Sequence, residues 1–315
     1  MNQYGGHIFL MGAFALAGTS VVAGRLVTTT LGTFTIAAAS LFFALLGLLP
    51  VCGRTLAITF RRMSKGDWLR LMMQALFGIF LFRMFLLQGL LRTSAGEAGI
   101  LTGTTPAVTV VLARLLLKEP IDKLRFCGLV STVTGILLIQ GLFSSTLRFS
   151  GEHFIGNVLV LCAAVCESFF NVISRMGTIK ASLRQAAELN PIDQTTLVVL
   201  IALLLCLGPA LYERPAAALQ TLGITGWLAL IWYGLFVTAL AFILWYAGIN
   251  RCDASLAAAF SGMMPFTALL LSILILQEEP GWQQWLGGFM IVSGMILTGL
   301  NPANSKQTCN HLQAN

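Results

Sequence analysis

Charge is what this sequence lacks. Only 10% of its 315 residues are Asp, Glu, Lys or Arg, against 57% hydrophobic, and the mean hydropathy is +0.85. A soluble domain carries about 25% charged residues, so these few cannot cover the surface of a soluble globule. The apolar runs must face lipid, which makes the bilayer the first expected partner. Histidine is scarce too. His7, His153 and His311 lie near chain or span ends, outside any HExxH or triad-like setting, which argues against a membrane-embedded hydrolase or transferase. No Walker loop is present, which argues against an ATP-driven pump. The seven cysteines are scattered without CxxC or Cys/His ligand spacing, so no disulfide framework, metal site or cofactor is expected. Residues 1–24 contain no Lys or Arg. The apolar run 8–17 thus lacks the basic flank of a signal peptide and is expected as a retained first span.

What is present is a series of long apolar runs. In hydrocarbon every backbone amide needs an internal partner, so helices of about 20 residues are the expected unit. The runs fall at 7–24, 31–52, 70–91, 95–117, 124–143, 154–176, 194–212, 224–249, 254–276 and 282–301. The fold class expected is an all-α integral membrane protein of ten transmembrane helices. Net charge is +7, but the basic residues sit in short clusters between spans, so nucleic acid is not an expected partner. Alternate loops collect 13 Lys and Arg, among them Arg61, Arg62, Lys65, Lys118 and Lys123. The opposite loops hold four, Arg25, Arg92, Arg148 and Arg214. The positive-inside rule places both termini in the cytoplasm of a multi-pass cell-membrane protein.

The chain also repeats itself. Residues 93–138 align without gaps on 252–297 at an offset of 159, with 12 of 46 positions identical. Gly103, Pro106, Glu119, Gly128 and Gly135 meet Gly262, Pro265, Glu278, Gly287 and Gly294, and Gly89 meets Gly248. The first spans pair at an offset of 150, where Ala13, Val22 and Arg25 meet Ala163, Val172 and Arg175. Two five-helix units are expected, 7–145 and 153–301, followed by a cytoplasmic tail at 302–315. Five is odd, so the halves must insert inverted relative to one another, as in secondary transporters with a midplane site at the repeat interface. Pro106 and Pro265 each remove a backbone hydrogen bond mid-span and are expected kinks or pivots. Glu119 and Glu278 sit at turns and are expected to cap or pair close by.

This pattern resembles the EamA-type branch of the drug/metabolite transporter superfamily. The resembling residues are Gly89, Ala95, Ala98, Pro106, Glu119, Gly128 and Gly135, with Gly248, Ala254, Ala257, Pro265, Glu278, Gly287 and Gly294 in the second half. The stretch Gly18-Thr-Ser-Val-Val-Ala-Gly-Arg25 is similar to that family's first helix. The resemblance implies gradient-driven export of amino acids, metabolites or drugs from bacteria, through a central cavity lined by spans 1, 3, 4, 6, 8 and 9.

Charges inside spans are costly and mark pathways, pairs or relays. Arg83 lies about 20 Å along the third span from its inner end and Glu167 about 13 Å along the sixth. They align with Phe242 and Ala17, so the scaffold common to both halves does not require them. Two readings stand: an ion pair locking spans 3 and 6, or engagement of substrate or a proton. Asn171 lies one turn from Glu167 on the same face. Thr19, Ser20, Thr104 and Thr105 offer hydroxyls for a substrate or back-bonds to their own helices. Tyr233, Trp245 and Tyr246 form either an aromatic wall or an interface belt, with Trp245 and Tyr246 read as belt. An acid, an arginine and amides suit zwitterions such as amino acids, and other small metabolites too. A passive channel would favour a continuous polar stripe, where only scattered polar positions occur. Lipid-facing and partner-facing surfaces look alike in sequence, so no oligomeric state is expected over another.

Overall fold

The computed structural model describes residues 3–20, 23, 27, 31–90, 92, 101–102, 104–119, 121–139, 154–183, 189–276 and 281–300, and among them every regular element is a helix. In chain order these are α1 (Gln3–Gly18), α2 (Thr33–Arg62) and α3, which joins Lys65–Ala75, a π-helical stretch Leu76–Leu81 and Phe82–Leu90. Then come α4 (Thr105–Leu112 continuing as π-helical Ala113–Leu117), α5 (Lys123–Ile139), α6 (Phe154–Leu183) and α7 (Pro191–Tyr212). After a short helix at Pro215–Gln220, α8 joins Ile224–Trp232, π-helical Tyr233–Leu240 and Ala241–Ile249. Finally α9 joins Ala254–Phe260 and Met263–Leu276, and α10 spans Trp282–Leu300.

Among the described residues, five helices are long and apolar enough to cross a membrane: Thr33–Gly53, Lys65–Leu86, Phe154–Lys180, Pro191–Tyr212 and Ile224–Ile249. Gly5–Gly18 and Thr105–Leu117 are shorter apolar helices. The outer surface is oily, with Phe42, Leu204, Phe126 and Phe289 exposed, while Ser40, Gln74, Thr109, Thr132, Ser168 and Asn171 are buried. Apolar side chains outside and satisfied polar ones inside suit a lipid solvent. This is a multi-pass membrane protein.

Two connections are more helical than the sequence suggests. Residues 53–69 were expected as a loop, yet α2 runs on to Arg62 past a kink at Gly53, where φ is +49° and ψ −129°. That conformation favours glycine, which has no Cβ to clash. The chain then re-enters helix at Lys65, because Ser64 and Asp67 form a reciprocal capping box. Likewise α6 continues to Leu183, beyond the expected end at 176.

Helix pairs are fastened by close backbone approach and by carboxylates. α5 crosses α10 through glycines. A Cβ added to Gly128 would lie 2.8 Å from the Gly294 carbonyl oxygen, and one added to Gly135 would lie 2.6 Å from that of Gly287. Between them the Ser131 hydroxyl donates to the Met290 carbonyl at 2.8 Å. α2 packs on α7 with a carboxylate at each end. Glu213 accepts from the Phe34 and Thr35 amides at 3.1 and 2.7 Å and from the Thr35 hydroxyl at 2.8 Å, satisfying otherwise orphaned donors of α2. At the opposite end Asp193 accepts from the Thr55 and Thr59 hydroxyls at 3.0 and 2.7 Å.

Contacts between the halves come in matched sets. Gly248 of α8 packs on Leu10 of α1, and Gly89 of α3 packs on Val160 of α6. Gly18 of α1 abuts the Met264 carbonyl of α9, while the Ser168 hydroxyl of α6 donates to the Thr105 carbonyl of α4 at 3.2 Å. The two π-helical stretches Leu76–Leu81 and Tyr233–Leu240 also overlap at the offset of 159.

Candidate functional site

α4 and α9 are the discontinuous elements. α9 breaks at Ser261 and Gly262, and helix resumes at Met263 with Pro265 in its first turn. α4 begins at Thr105 after a turn at Thr104, with Pro106 in its first turn. Proline belongs there, because amides of a first turn have no intrahelical acceptor to lose. The expected kinks are therefore interruptions placed just before each proline.

α6 lies along the opening turns of α4. Glu167 accepts from the Thr105 hydroxyl at 3.3 Å, and the Asn171 side-chain amide donates to Thr109 at 3.4 Å. Thr105, Thr109, Ser168 and Asn171 are buried, and Glu167 is partly exposed. Glu167 therefore meets the first turn of α4 through a side-chain hydroxyl.

Arg83 lies elsewhere. Its guanidinium stands over the Tyr233 ring of α8, 5.4 Å from the centroid. Among the described residues no ion pair joins Arg83 to Glu167, and each is engaged by a different group. The neighbouring Trp232 indole donates to the Thr19 hydroxyl at 3.0 Å and stacks on Phe236. The expected residues thus fall into two groups: Glu167, Asn171 and Thr105 on α4 and α6, and Arg83, Tyr233 and Thr19 on α3, on α8 and just past the end of α1. The hydroxyls of Thr19 and Thr104 also donate back to Leu16 and Leu101 carbonyls, the local alternative to binding. Ser20, beside Thr19, is partly buried.

Two readings are corrected. Trp245 and Tyr246 are not an interface belt. Both are buried, packed against Phe170, and Trp245 also meets Phe14 edge-on. Glu119 does cap, but across the molecule, accepting from the Ala254 and Ser255 amides at 3.0 and 3.2 Å. Glu278 lies outside the described residues.

Reading the sequence missed a buried polar knot. The Gln74 carbonyl oxygen accepts from Gln194 at 3.1 Å and Tyr246 at 3.3 Å, and its amide donates to Ser174 at 3.4 Å. One side chain thereby joins α3, α6, α7 and α8. Two glutamines facing each other from different spans were the available signal, since uncharged amides inside lipid also need partners. Among the described residues no group of three or more His, Cys, Asp or Glu is arranged to hold a metal ion.

Comparison with known proteins converges on one class. The chain is 30% identical to the uncharacterized transporter YetK of Bacillus subtilis (strain 168), over 94% of this chain and 87% of that one. It is 27% identical to the uncharacterized transporter sll0355 of Synechocystis sp., over 90% and 87% of the two chains, and 24% identical to an uncharacterized transporter of Methanothermobacter thermautotrophicus, over 94% and 87%. A solved crystal structure shares the fold with a TM-score of 0.74 at 19% identity, covering 95% of this chain and 98% of that one. The EamA-like transporter family matches residues 4–141 and again residues 154–300. With nearly its whole length matched, this membrane protein belongs to the EamA-like transporter family.

Proposed function

We propose that this transporter is a secondary exporter of a small organic metabolite, amino acid or drug, working by alternating access. Two inverted five-helix repeats enclose a midplane site, and both termini face the cytoplasm of the cell membrane. The observation that carries the inverted repeat is reciprocity. Gly128 meets Gly294, the counterpart of Gly135, and Gly135 meets Gly287, the counterpart of Gly128. A surface that contacts its own copy in this crossed fashion is the signature of a twofold axis. Gly18 on Met264 and Ser168 on Thr105 are likewise one contact made twice, as are Gly248 on Leu10 and Gly89 on Val160.

The site is read at the interruption of α4. Thr105, Glu167 and Asn171 sit where a discontinuous helix offers its first turn, the arrangement by which such transporters hold polar ligands. Glu167 supplies an anion for a substrate ammonium or a coupling proton. Arg83, held over Tyr233, supplies a cation for a substrate carboxylate. The interruptions before Pro106 and Pro265 are the pivots about which the halves rock.

The test is a substrate screen in an efflux-deficient host and in proteoliposomes, followed by Glu167→Gln and Arg83→Gln. Each variant is expected to insert normally and to lose at least about tenfold in transport, the factor set by removing one charge-assisted hydrogen bond. Wild-type rates in both would refute the site. Flux that shows no counterflow would favour a passive channel instead.

A further inference from the structure

The first segment of α9 is sunk in the bundle. All seven residues of Ala254–Phe260 are buried, on every side of the helix. The segment is made of small residues apart from Leu256 and Phe260, and it ends at the break before Met263. At 1.5 Å per residue it spans about 10 Å, from the α8–α9 connection to the depth of the interruption.

Its N-terminal end is tied down by the first half of the chain. Glu119, in the α4–α5 connection, accepts from the Ala254 amide, the Ser255 amide and, at 2.9 Å, the Ser255 hydroxyl. Arg125, in the first turn of α5, pairs with Asp253 at 2.8 Å, and Asp253 caps the segment through the Leu256 amide. From α6, Arg175 reaches the Ile249 carbonyl at 3.0 Å and stands 3.9 Å from Glu119, while Thr178 donates to Asn250 at 2.7 Å. Glu119, Arg125 and Asp253 are all less than a tenth exposed. Buried charges cost several kcal/mol each unless matched. Helix termini are usually capped from within their own segment; here Asp253 does so, and Glu119 of the other half adds a second cap. Such a charged knot across the interface between halves holds one arrangement of them against another.

We propose that Ala254–Phe260 is a gate helix closing the cytoplasmic side, hinged at Ser261 and Gly262, with Glu119 and the Arg125–Asp253 pair as its latch. This rests on the alternating-access reading and on the cytoplasmic placement of the termini. When the latch releases, the segment swings on its hinge and uncovers the path to the interruption of α4. The latch is asymmetric in sequence. The repeat places Glu278 opposite Glu119 and Arg25 opposite Arg175, but Ser94 and Gln284 stand opposite Asp253 and Arg125. The ion pair is therefore particular to this copy of the motif.

Cys252, buried beside Asp253, is a native reporter of this gate. The experiment uses the full chain with every other cysteine replaced, in inside-out and right-side-out vesicles, and follows modification of Cys252 by a membrane-impermeant methanethiosulfonate. Glu119→Gln and Arg125→Gln are each expected to raise the rate at least tenfold from the cytoplasmic face. A parallel background keeps only Cys206, buried in α7, and should stay unmodified in both variants. No rise at Cys252 from either face overturns the latch. An equal rise at Cys206 overturns it too, since that is general loosening rather than gate opening. A rise seen only from the external face overturns the cytoplasmic placement, and with it the orientation proposed above, while leaving the local opening intact.

Discussion

Gly128→Ala puts the crossing of α5 and α10 to a quantitative test. The added methyl would sit 2.8 Å from the Gly294 carbonyl oxygen and 2.9 Å from the Thr298 amide nitrogen, both backbone atoms of the facing helix. Neither can rotate away, so the helices must separate. Overpacking of this kind costs about 1–3 kcal/mol. Against it stands the better helix propensity of alanine, about 1 kcal/mol. The net expectation is destabilisation of about 0–2 kcal/mol. Gly294→Ala meets the same crossing from the other side, 2.6 Å from the Gly128 carbonyl oxygen, so the double variant should cost less than the sum of the singles. Gly208→Ala is the control, because nothing lies within 4 Å of a Cβ there, and it should be neutral or stabilising by up to about 1 kcal/mol. Thermal unfolding of detergent-purified protein, followed by size-exclusion fluorescence, measures all four. If Gly128→Ala is stabilised as much as Gly208→Ala, the close crossing is wrong. If the double variant is simply additive, the two glycines do not share one contact.

Three further outcomes follow from the geometry. Gln74→Leu leaves the Gln194 amide and the Tyr246 hydroxyl without their acceptor inside the protein, at about 1–3 kcal/mol for each unmet group. The same unfolding assay should show it as markedly less stable than a change made in open space, such as Gly208→Ala. Glu213→Ala removes the acceptor for two amides and a hydroxyl at the start of α2, and a loss of about 1–2 kcal/mol is expected in the same measurement. Burial, with Asp253 adding to it, pushes the Cys252 thiol up to about 12, so the fold favours the protonated form. Its contribution to stability is full below the ordinary thiol range and drains as pH rises toward about 12. Cys252→Ala should therefore lose less thermal stability than the unsubstituted protein between pH ~9 and ~11, and an equal loss in both would refute the burial of that thiol.

The distribution of apolar runs and the scarcity of charge were enough to read a helical membrane protein from the sequence, because lipid leaves the backbone few alternatives. The repeat was legible as well, through glycines and prolines whose backbone demands do not depend on hydrophobicity. Arg83, Glu167, Asn171 and Thr105 were identifiable as polar groups in apolar surroundings. Their partners were not. Arg83 and Glu167 share no ion pair among the described residues, since the rotation of each helix about its axis decides which ring, hydroxyl or carboxylate a side chain meets. The same rotation buried Trp245 and Tyr246, which a count of residues from the span end had put at the interface. The cap from Glu119 to Ala254 crosses 135 residues of chain, and no local pattern announces it. Spacing along one helix fixes which residues share a face. Only the packing of the assembled bundle selects what that face touches.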